Sequence, residues 1–453
     1  MTVKIIPLLI VLALNLSFMS TSSAESNQCE HLYFGDLQTT LDQLTETQLR
    51  PDNQAIRLPD AIEDYALRTA LTEAATDHIH LYTFFIEDNK TGLDSAAQLV
   101  AKAVEGVEVN VLYSLLGQIF QSIEITAAMR NMGVNAYPYI PQNIENDFSA
   151  LITSSHKKLL ITDSKKYGLE AITGGRNVGD NYFVNVGETA SGAFLNRWKD
   201  LDVLVRGPVI TDLVDDFIKT FNRMSLDETV VLSCEDKSHC RYYPELTTDA
   251  DITAVPVRLL HNEPDAHDGA GDLDINTYYL ELLKAAKTSI DIQTPYFIPQ
   301  PDLLKGLHEA LDSGVKIRIL TNSRKSNDLG APLFYTSAFY WPDLIKAGAE
   351  IYLWDMPIAE GEPRTMHAKT MTVDGCVFAP GSWNFDGRSY YWENEYVTSI
   401  HSEALTAEST AELDEVLTLE GVIPIDREWF ENNFTQLDYI KSFLFATVGT
   451  RFL

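Results

Sequence analysis

The stretch His156-Lys157-Lys158-Leu159-Leu160-Ile161-Thr162-Asp163 is written a second time, in chemical outline, as His367-Ala368-Lys369-Thr370-Met371-Thr372-Val373-Asp374. Both copies read H-x-K-x4-D. Each is followed by a Gly-rich turn ending in Asn, Gly174-Gly175-Arg176-Asn177 and Gly381-Ser382-Trp383-Asn384. Alternate residues of a strand share a face, so each H-x-K triplet projects an imidazole and an ammonium to the same side. Two such strands facing one another would set two His, two Lys and two Asn around a hole the size of a small anion. Phosphodiester chemistry without a metal needs that set of groups.

The repeat extends outward from the motif. A strand-like run from Ile79 to Ile86, a helical stretch and the run Gly106-Val-Glu-Val-Asn-Val-Leu112 precede the first copy. Ser289 to Ile298, a helical stretch from Asp302 and Gly314-Val-Lys-Ile-Arg-Ile-Leu320 precede the second. Closing strands follow at Asp202 to Arg206 and Tyr396 to Ile400. Strands and helices alternating at this spacing predict an α/β sandwich with a mainly parallel sheet in each half. The expected boundaries are a first half over 25–224, a connector over 225–257, a second half over 258–411 and an amphipathic tail over 412–453. The tail ends in an apolar run that can pack on the domain or touch lipid.

A phosphodiester resists attack because it is anionic and its alkoxide is a poor leaving group. A neutral imidazole can attack phosphorus and hold it as a phosphohistidine, splitting one hard displacement into two easier ones. The opposite His, protonated, gives its proton to the leaving oxygen and then serves as base for the incoming water or alcohol. Lys158, Lys369, Asn177 and Asn384 would donate to the non-bridging phosphoryl oxygens. Each His needs an acceptor on its other nitrogen, and the candidates on the closing strands are Asp202 and Glu395. Asp163 and Asp374 end their strands, where a carboxylate commonly fixes a turn; as part of the repeated signature they also stand among the catalytic candidates. The chemistry requires no metal and no cofactor, and the carboxylates near the motifs lack metal-ligand spacing. His78 and His80 alternate along a strand and are expected on a surface strand rather than on a metal.

Composition sets the limits of the function. The chain has 453 residues with 45% hydrophobic and 22% charged, which are globular values. Its net charge of −31 repels polyanions and argues against nucleic acid as partner. The first 24 residues read as a secretory signal: Lys4, a largely apolar run from Ile5 to Met19, then Ser22-Ser23-Ala24. That run is about 15 residues, short of the roughly 20 that span a bilayer. The reading predicts export to a periplasmic or external space, with an uncleaved N-terminal membrane anchor as the alternative. Of the four Cys, Cys234 and Cys240 flank a short polar loop and make the expected disulfide, with Cys376 as a buried free thiol the plainer possibility.

These residues resemble the phospholipase D superfamily, whose signature is the duplicated H-x-K-x4-D. Thr294-Pro-Tyr-Phe-Ile-Pro299, Leu320-Thr-Asn-Ser323 with Asn327-Asp328, Gly174 to Asp180, Trp198 to Pro208 and Gly381 to Ser389 look like its bacterial cardiolipin synthase branch. The resemblance implies a pseudo-twofold fold with the site between the halves, a phosphohistidine intermediate and metal independence. It implies His156 as nucleophile, His367 as acid and base, and Asp202 and Glu395 as the acids that orient them. It further implies a phospholipid substrate, peripheral membrane contact, and transfer of a phosphatidyl group to an alcohol or to water. Bacterial members of that branch commonly carry N-terminal membrane helices or work from the cytoplasmic side, unlike a chain opening with an export signal. A nuclease using the same two motifs is the rival enzyme, and a non-catalytic lipid- or partner-binding relic of the fold is the third class.

Overall fold

The computed structural model describes residues 29–33, 35–141, 153–183, 198–225, 230–232, 252–264, 272–356 and 365–450. Nineteen strands alternate with helices, as expected of an α/β protein. The first group comprises β1 (Leu49–Leu58), β2 (His78–Thr83), β3 (Glu108–Ser114), β4 (Asn135–Tyr139), β5 (Ser154–Ser155), β6 (Leu159–Ser164), β7 (Gly168–Gly174), β8 (Trp198–Lys199) and β9 (Asp202–Arg206). The second comprises β10 (Val255–Glu263), β11 (Asp272–Leu273), β12 (Ser289–Gln293), β13 (Lys316–Asn322), β14 (Glu350–Trp354), β15 (Thr365–Met366), β16 (Thr370–Val373), β17 (Val377–Pro380), β18 (Glu393–His401) and β19 (Val422–Ile425).

The two groups repeat one design. Strands β2, β3 and β4 pair in parallel, as do β12, β13 and β14, and they bury Ile79, Leu81, Val109, Val111, Ile290, Ile292, Ile317 and Ile319. Among the named strands of the described residues, parallel pairing occurs in those three-strand cores and at the short β5 and β8. The hairpins β6–β7 and β16–β17, which follow the H-x-K triplets, add to β2 and β12 antiparallel. The long strand β1 joins the halves, its first residues pairing with β10 and its last with β9.

Helices cover the sheets, and several of them begin at a side-chain cap. Asp60 accepts from the amides of Ile62 and Glu63 ahead of the helix Ala61–Ala74, and Asp386 accepts from Ser389 ahead of Gly387–Tyr391. The helix Val209–Met224 lays Val209, Ile210, Leu213, Val214, Phe217 and Phe221 on one buried face. These residues share a continuous apolar core with Phe378, Tyr396 and Ile400 of the second group. At roughly 1.5–3 kcal/mol per buried large side chain, separating the groups would expose core rather than surface. His78 and His80, expected on a surface strand, are buried instead, because helix Val209–Met224 covers β2 and stacks Phe217 on His80.

The N-terminal residues reach the second motif. Cys29 is disulfide-bonded to Cys376, with Cα atoms 5.5 Å apart, so Cys376 is not a free thiol. His31 Nε2 bonds Asp374 at 2.8 Å, and Tyr33 donates to the Cys376 carbonyl while stacking on His401. Cys234 and Cys240 lie outside the described residues, as do residues 1–24. Among the described residues no helix is long and apolar enough to cross a membrane.

Candidate active site

Each H-x-K triplet sits in the extended link between a two-residue strand and a hairpin strand, and the two-residue strand crosses to the other half. β5 pairs in parallel with β18, and the His156 amide donates to the Asn394 carbonyl at 2.8 Å. β15 pairs in parallel with β8, and the His367 amide donates to the Lys199 carbonyl at 2.7 Å. The exchange brings His156 and His367 to the wall of one cavity of about 470 Å³, together with Asn177 and Asn384.

The alternation predicted for H-x-K holds through the link. Lys158 donates to the His156 carbonyl at 2.6 Å, on the same side as the imidazole, and Lys369 donates to the His367 carbonyl. The middle residues face the other way. Lys157 reaches Asp216 at 2.9 Å and Glu263 at 3.4 Å, while its counterpart Ala368 packs in the shared core.

Each imidazole takes a carboxylate from the opposite half. His156 Nδ1 lies 3.0 Å from Glu395 Oε1, and Glu395 is held in turn by the hydroxyls of Ser382 and Ser389. His367 Nδ1 lies 2.6 Å from Asp200 Oδ2. The second acceptor is therefore Asp200 and not Asp202. Asp202 receives Arg68 at 2.6 Å and the Arg176 amide at 3.1 Å, in a buried ion cluster with Asp64. The Gly turns account for the choice. Gly175 donates its amide to Leu201 and Ser382 donates to Tyr396, so Leu201 matches Tyr396 and Asp200 matches Glu395. A Cβ on Gly175 would lie 2.0 Å from Asp200 Oδ1, so the short Asp reaches its His only beside a glycine. In the second copy the longer Glu leaves room for Ser382, which donates to it.

Burial and charge tune these groups. Burial pushes His367 well below the ordinary imidazole range, reinforced by Lys369, Lys158 and His156. Burial also lowers Lys158 to about 7 and lowers Lys369, while Asp200 is raised to about 6. With Nδ1 committed to a carboxylate, Nε2 of each His has no protein partner among the described residues and is the atom available for chemistry. Trp198 packs over His367 with ring centroids 4.4 Å apart, and Phe84 meets His156 edge-on at 5.1 Å.

The other expected residues divide. The Asn177 amide donates to the Tyr182 hydroxyl at 2.8 Å, and its oxygen accepts from the Phe84 amide, so this side chain braces the wall as well as lining it. Asn384 Oδ1 is buried without a partner. Asp163 and Asp374 lie at the far ends of their hairpin strands and bond backbone, not the cavity. Asp163 accepts from the amides of Thr76, Asp77 and His78, and Asp374 from those of Lys287, Thr288 and Ser289. Although burial raises both, these bonds hold their carboxyls below the usual range. Their role is to tie the strand that carries the motif to β2 and β12, and the catalytic assignment is corrected accordingly. His156, Glu393 and Glu395 bring ligand atoms within 4.8 Å of one another. Glu393 is engaged by Arg388 at 2.8 Å and by Ser154, and Glu395 by the two serines, which is how a protein satisfies an acid–imidazole pair.

Sequence reasoning passed over the remaining cavity walls. The cavity lining also includes the apolar Phe84, Phe85, Leu116, Phe120 and Leu333, the acidic Glu87, Asp328, Asp386 and Glu393, and Arg388.

Residues 279–417 match the family described as cardiolipin synthase, PLD-like domain. The chain is 28% identical over 370 residues to a cardiolipin synthase of Geobacillus sp. (strain WCH70), covering 82% of this chain and 67% of the relative. It is 28% identical over 340 residues to the major cardiolipin synthase ClsA of Bacillus subtilis (strain 168), covering 75% and 64%. The chain thus spans about two thirds of the length of these curated relatives. A phosphatidylserine synthase of Haemophilus influenzae Rd KW20 shares the fold, with a TM-score of 0.64 at 15% identity over 92% of this chain and all of that one. These relatives, named as cardiolipin synthases, overturn the exported location expected from residues 1–24.

Proposed function

We propose that this protein, a member of the phospholipase D superfamily, is a phosphatidyltransferase that exchanges the phosphodiester headgroup of glycerophospholipids. The observation that carries the reading is the pairing of each cavity imidazole with a carboxylate from the opposite half, Nε2 left open on both. His156 Nε2 attacks phosphorus, and the bond to the leaving alkoxide breaks as His367 delivers a proton to it. The phosphatidyl group, held on His156, then passes to an alcohol or to water while His367 takes the proton back. Lys158, Lys369 and the Asn384 amide meet the non-bridging oxygens. An arriving phosphodiester anion offsets the two ammoniums, and so raises the proton affinity of His367 for its acid role. We read residues 25–224 and 258–411 as the two halves that build the site, with 225–257 between them.

Membrane contact we assign to the helix Gln436–Gly449. Its exposed residues include Leu437, Ile440, Phe443, Leu444 and Val448, while Ser442, Ala446 and Gly449 face inward. Large apolar groups outside and small ones inside invert the pattern of a soluble helix. At about 1.5 Å per residue it is too short to cross a bilayer, and its geometry suits lying in the interface. The apolar and acidic cavity walls suit a lipid with a hydroxylated headgroup and disfavour a polyanion, so the nuclease reading gains nothing.

The test is a lipid-exchange assay on phosphatidylglycerol vesicles, with a denaturing quench in neutral detergent to trap labelled phosphatidyl on the protein. Wild type is expected to carry the label, and His367→Ala to form it and break it down more slowly, each step by roughly 10²–10⁴-fold. His156→Ala should carry none and turn over no headgroup. Equal turnover by wild type and His156→Ala would defeat the proposal.

A further inference from the structure

The middle residue of the first motif has no part in the chemistry above, yet its charge is buried inside the protein. Lys157 follows His156 directly and, by alternation, turns away from the imidazole cavity. Its ammonium meets both carboxylate oxygens of Asp216, at 3.0 and 2.9 Å, and Glu263 at 3.4 Å. Tyr396 stands in the same relation to Glu395, the acid that holds His156: it comes next in sequence and faces the core side of β18. Its hydroxyl also donates to Asp216, and the Lys157 ammonium lies 4.5 Å from its ring centroid.

One carboxylate on a third element, the helix Val209–Met224, thus ties the two chain segments that carry the His156–Glu395 couple. Just before the couple in sequence, the same segments are joined by the β5–β18 ladder and by the His156 amide on the Asn394 carbonyl. The couple therefore lies between a backbone tie and a side-chain tie. Burial pushes the Asp216 carboxyl up, but Lys157, His261 and Tyr396 outweigh it and hold it below the usual range, so the tie is ionic.

The second couple is seated differently. Ala368 follows His367 and Leu201 follows Asp200, and both side chains pack in the apolar core that the two groups share. Apolar contact is non-directional, whereas hydrogen bonds to a buried carboxylate fix direction. Two groups alike in design differ here, at the positions next to both members of each couple.

We propose that Asp216 is a positioning residue for His156, acting through Lys157 and Tyr396, and that this tie fits the first imidazole rather than the second to hold phosphorus. The inference rests on the phosphatidyltransferase reading and deepens it. A nucleophile that bonds phosphorus in line must be held in one direction. The proton carrier opposite serves the leaving oxygen and then the incoming one, which a non-directional seat permits. Asp216 acts only through its neighbours, since it lines a separate cavity of about 300 Å³ with Asp212, Asp215, Lys219 and His261.

Two variants of the full chain test it. Tyr396→Phe removes one hydroxyl and keeps the ion pair. Lys157→Met with Asp216→Leu and Tyr396→Phe replaces the whole tie by apolar groups, a swap that buried ion pairs often tolerate. In protein with labelled histidine, NMR follows the Nδ1 protons of His156 and His367, assigned by their changes in Glu395→Gln and Asp200→Asn. Exchange of the His156 proton with water is expected to quicken at least tenfold in the triple variant and less in Tyr396→Phe, with the His367 proton unmoved. On phosphatidylglycerol vesicles, kcat of the triple variant should fall roughly 10–10²-fold with KM little changed. Unchanged His156 exchange, or unchanged kcat in an active enzyme, overturns the proposal. Equal changes at both imidazoles also overturn it, because they mark the tie as general support of the fold. A wild type that turns over no lipid, while the His156 proton alone responds, leaves the tie standing and sinks the phosphatidyltransferase reading.

Discussion

At the scale of single residues, the two aspartates that flank Leu201 do different work. Asp200 bonds His367, while Asp202 neutralises Arg68 and Arg176 inside the protein. Asp200→Asn should therefore cut kcat by roughly 10²–10⁴-fold, as a misoriented imidazole does, with little change in melting temperature. Asp202→Asn should destabilise by about 3–5 kcal/mol, the cost of stranding buried arginine charge, and spare kcat in the protein that folds. Paired kinetics and thermal melts check both; the reverse pattern would restore Asp202 as the orienting acid. The sequence carried a signal for the right choice. Counting back from the residue that pairs with the Gly turn aligns Leu201 with Tyr396 and hence Asp200 with Glu395, but that register becomes visible only once backbone pairings are known. The His, Lys and Asn of both motifs were legible because they repeat in type and order. The acidic wall was not, since Asp328 and Asp386 come from loops whose approach is set by tertiary packing.

At the scale of elements, the alternation that placed His and Lys on one side held, although the triplets lie in extended links beside the strands. An extended chain alternates its side chains whether or not a ladder claims it. Expectation and structure also meet in the parallel cores, whose strands carry recurrent Ile, Val and Leu. The antiparallel hairpins flanking them could not be read, because an edge addition leaves the same alternating pattern in either direction. The tail helix has the sharpest consequence at this scale. Phe443→Ser with Leu444→Ser should lower binding to phosphatidylcholine vesicles at least tenfold, given about 1.5–3 kcal/mol for each large apolar group fully buried. Raised salt should leave wild-type binding nearly unchanged, since the exposed face is uncharged and the net charge is −31. Vesicle co-sedimentation decides it, and unaltered partition of the double variant would remove this helix from the interface.

At the scale of the whole molecule, the disulfide between Cys29 and Cys376 closes a loop of 347 residues and pins the N-terminal residues to the turn that ends the second motif. Chain-entropy reasoning gives a contribution of about 6 kcal/mol. Reductant, or Cys29→Ser, should lower the denaturant midpoint accordingly while phosphatidyl transfer at low temperature persists; an unchanged midpoint would show the bond to be idle. No spacing rule could have matched these two cysteines, because their meeting depends on a fold already complete. The same dependence on completion governs the site, whose imidazoles each borrow an acid from the far half. A chain emerging from the ribosome holds no working acid–imidazole couple until residue 367 and then 395 have been added. Synthesis order therefore withholds the proposed lipid chemistry until residues of both halves have been made.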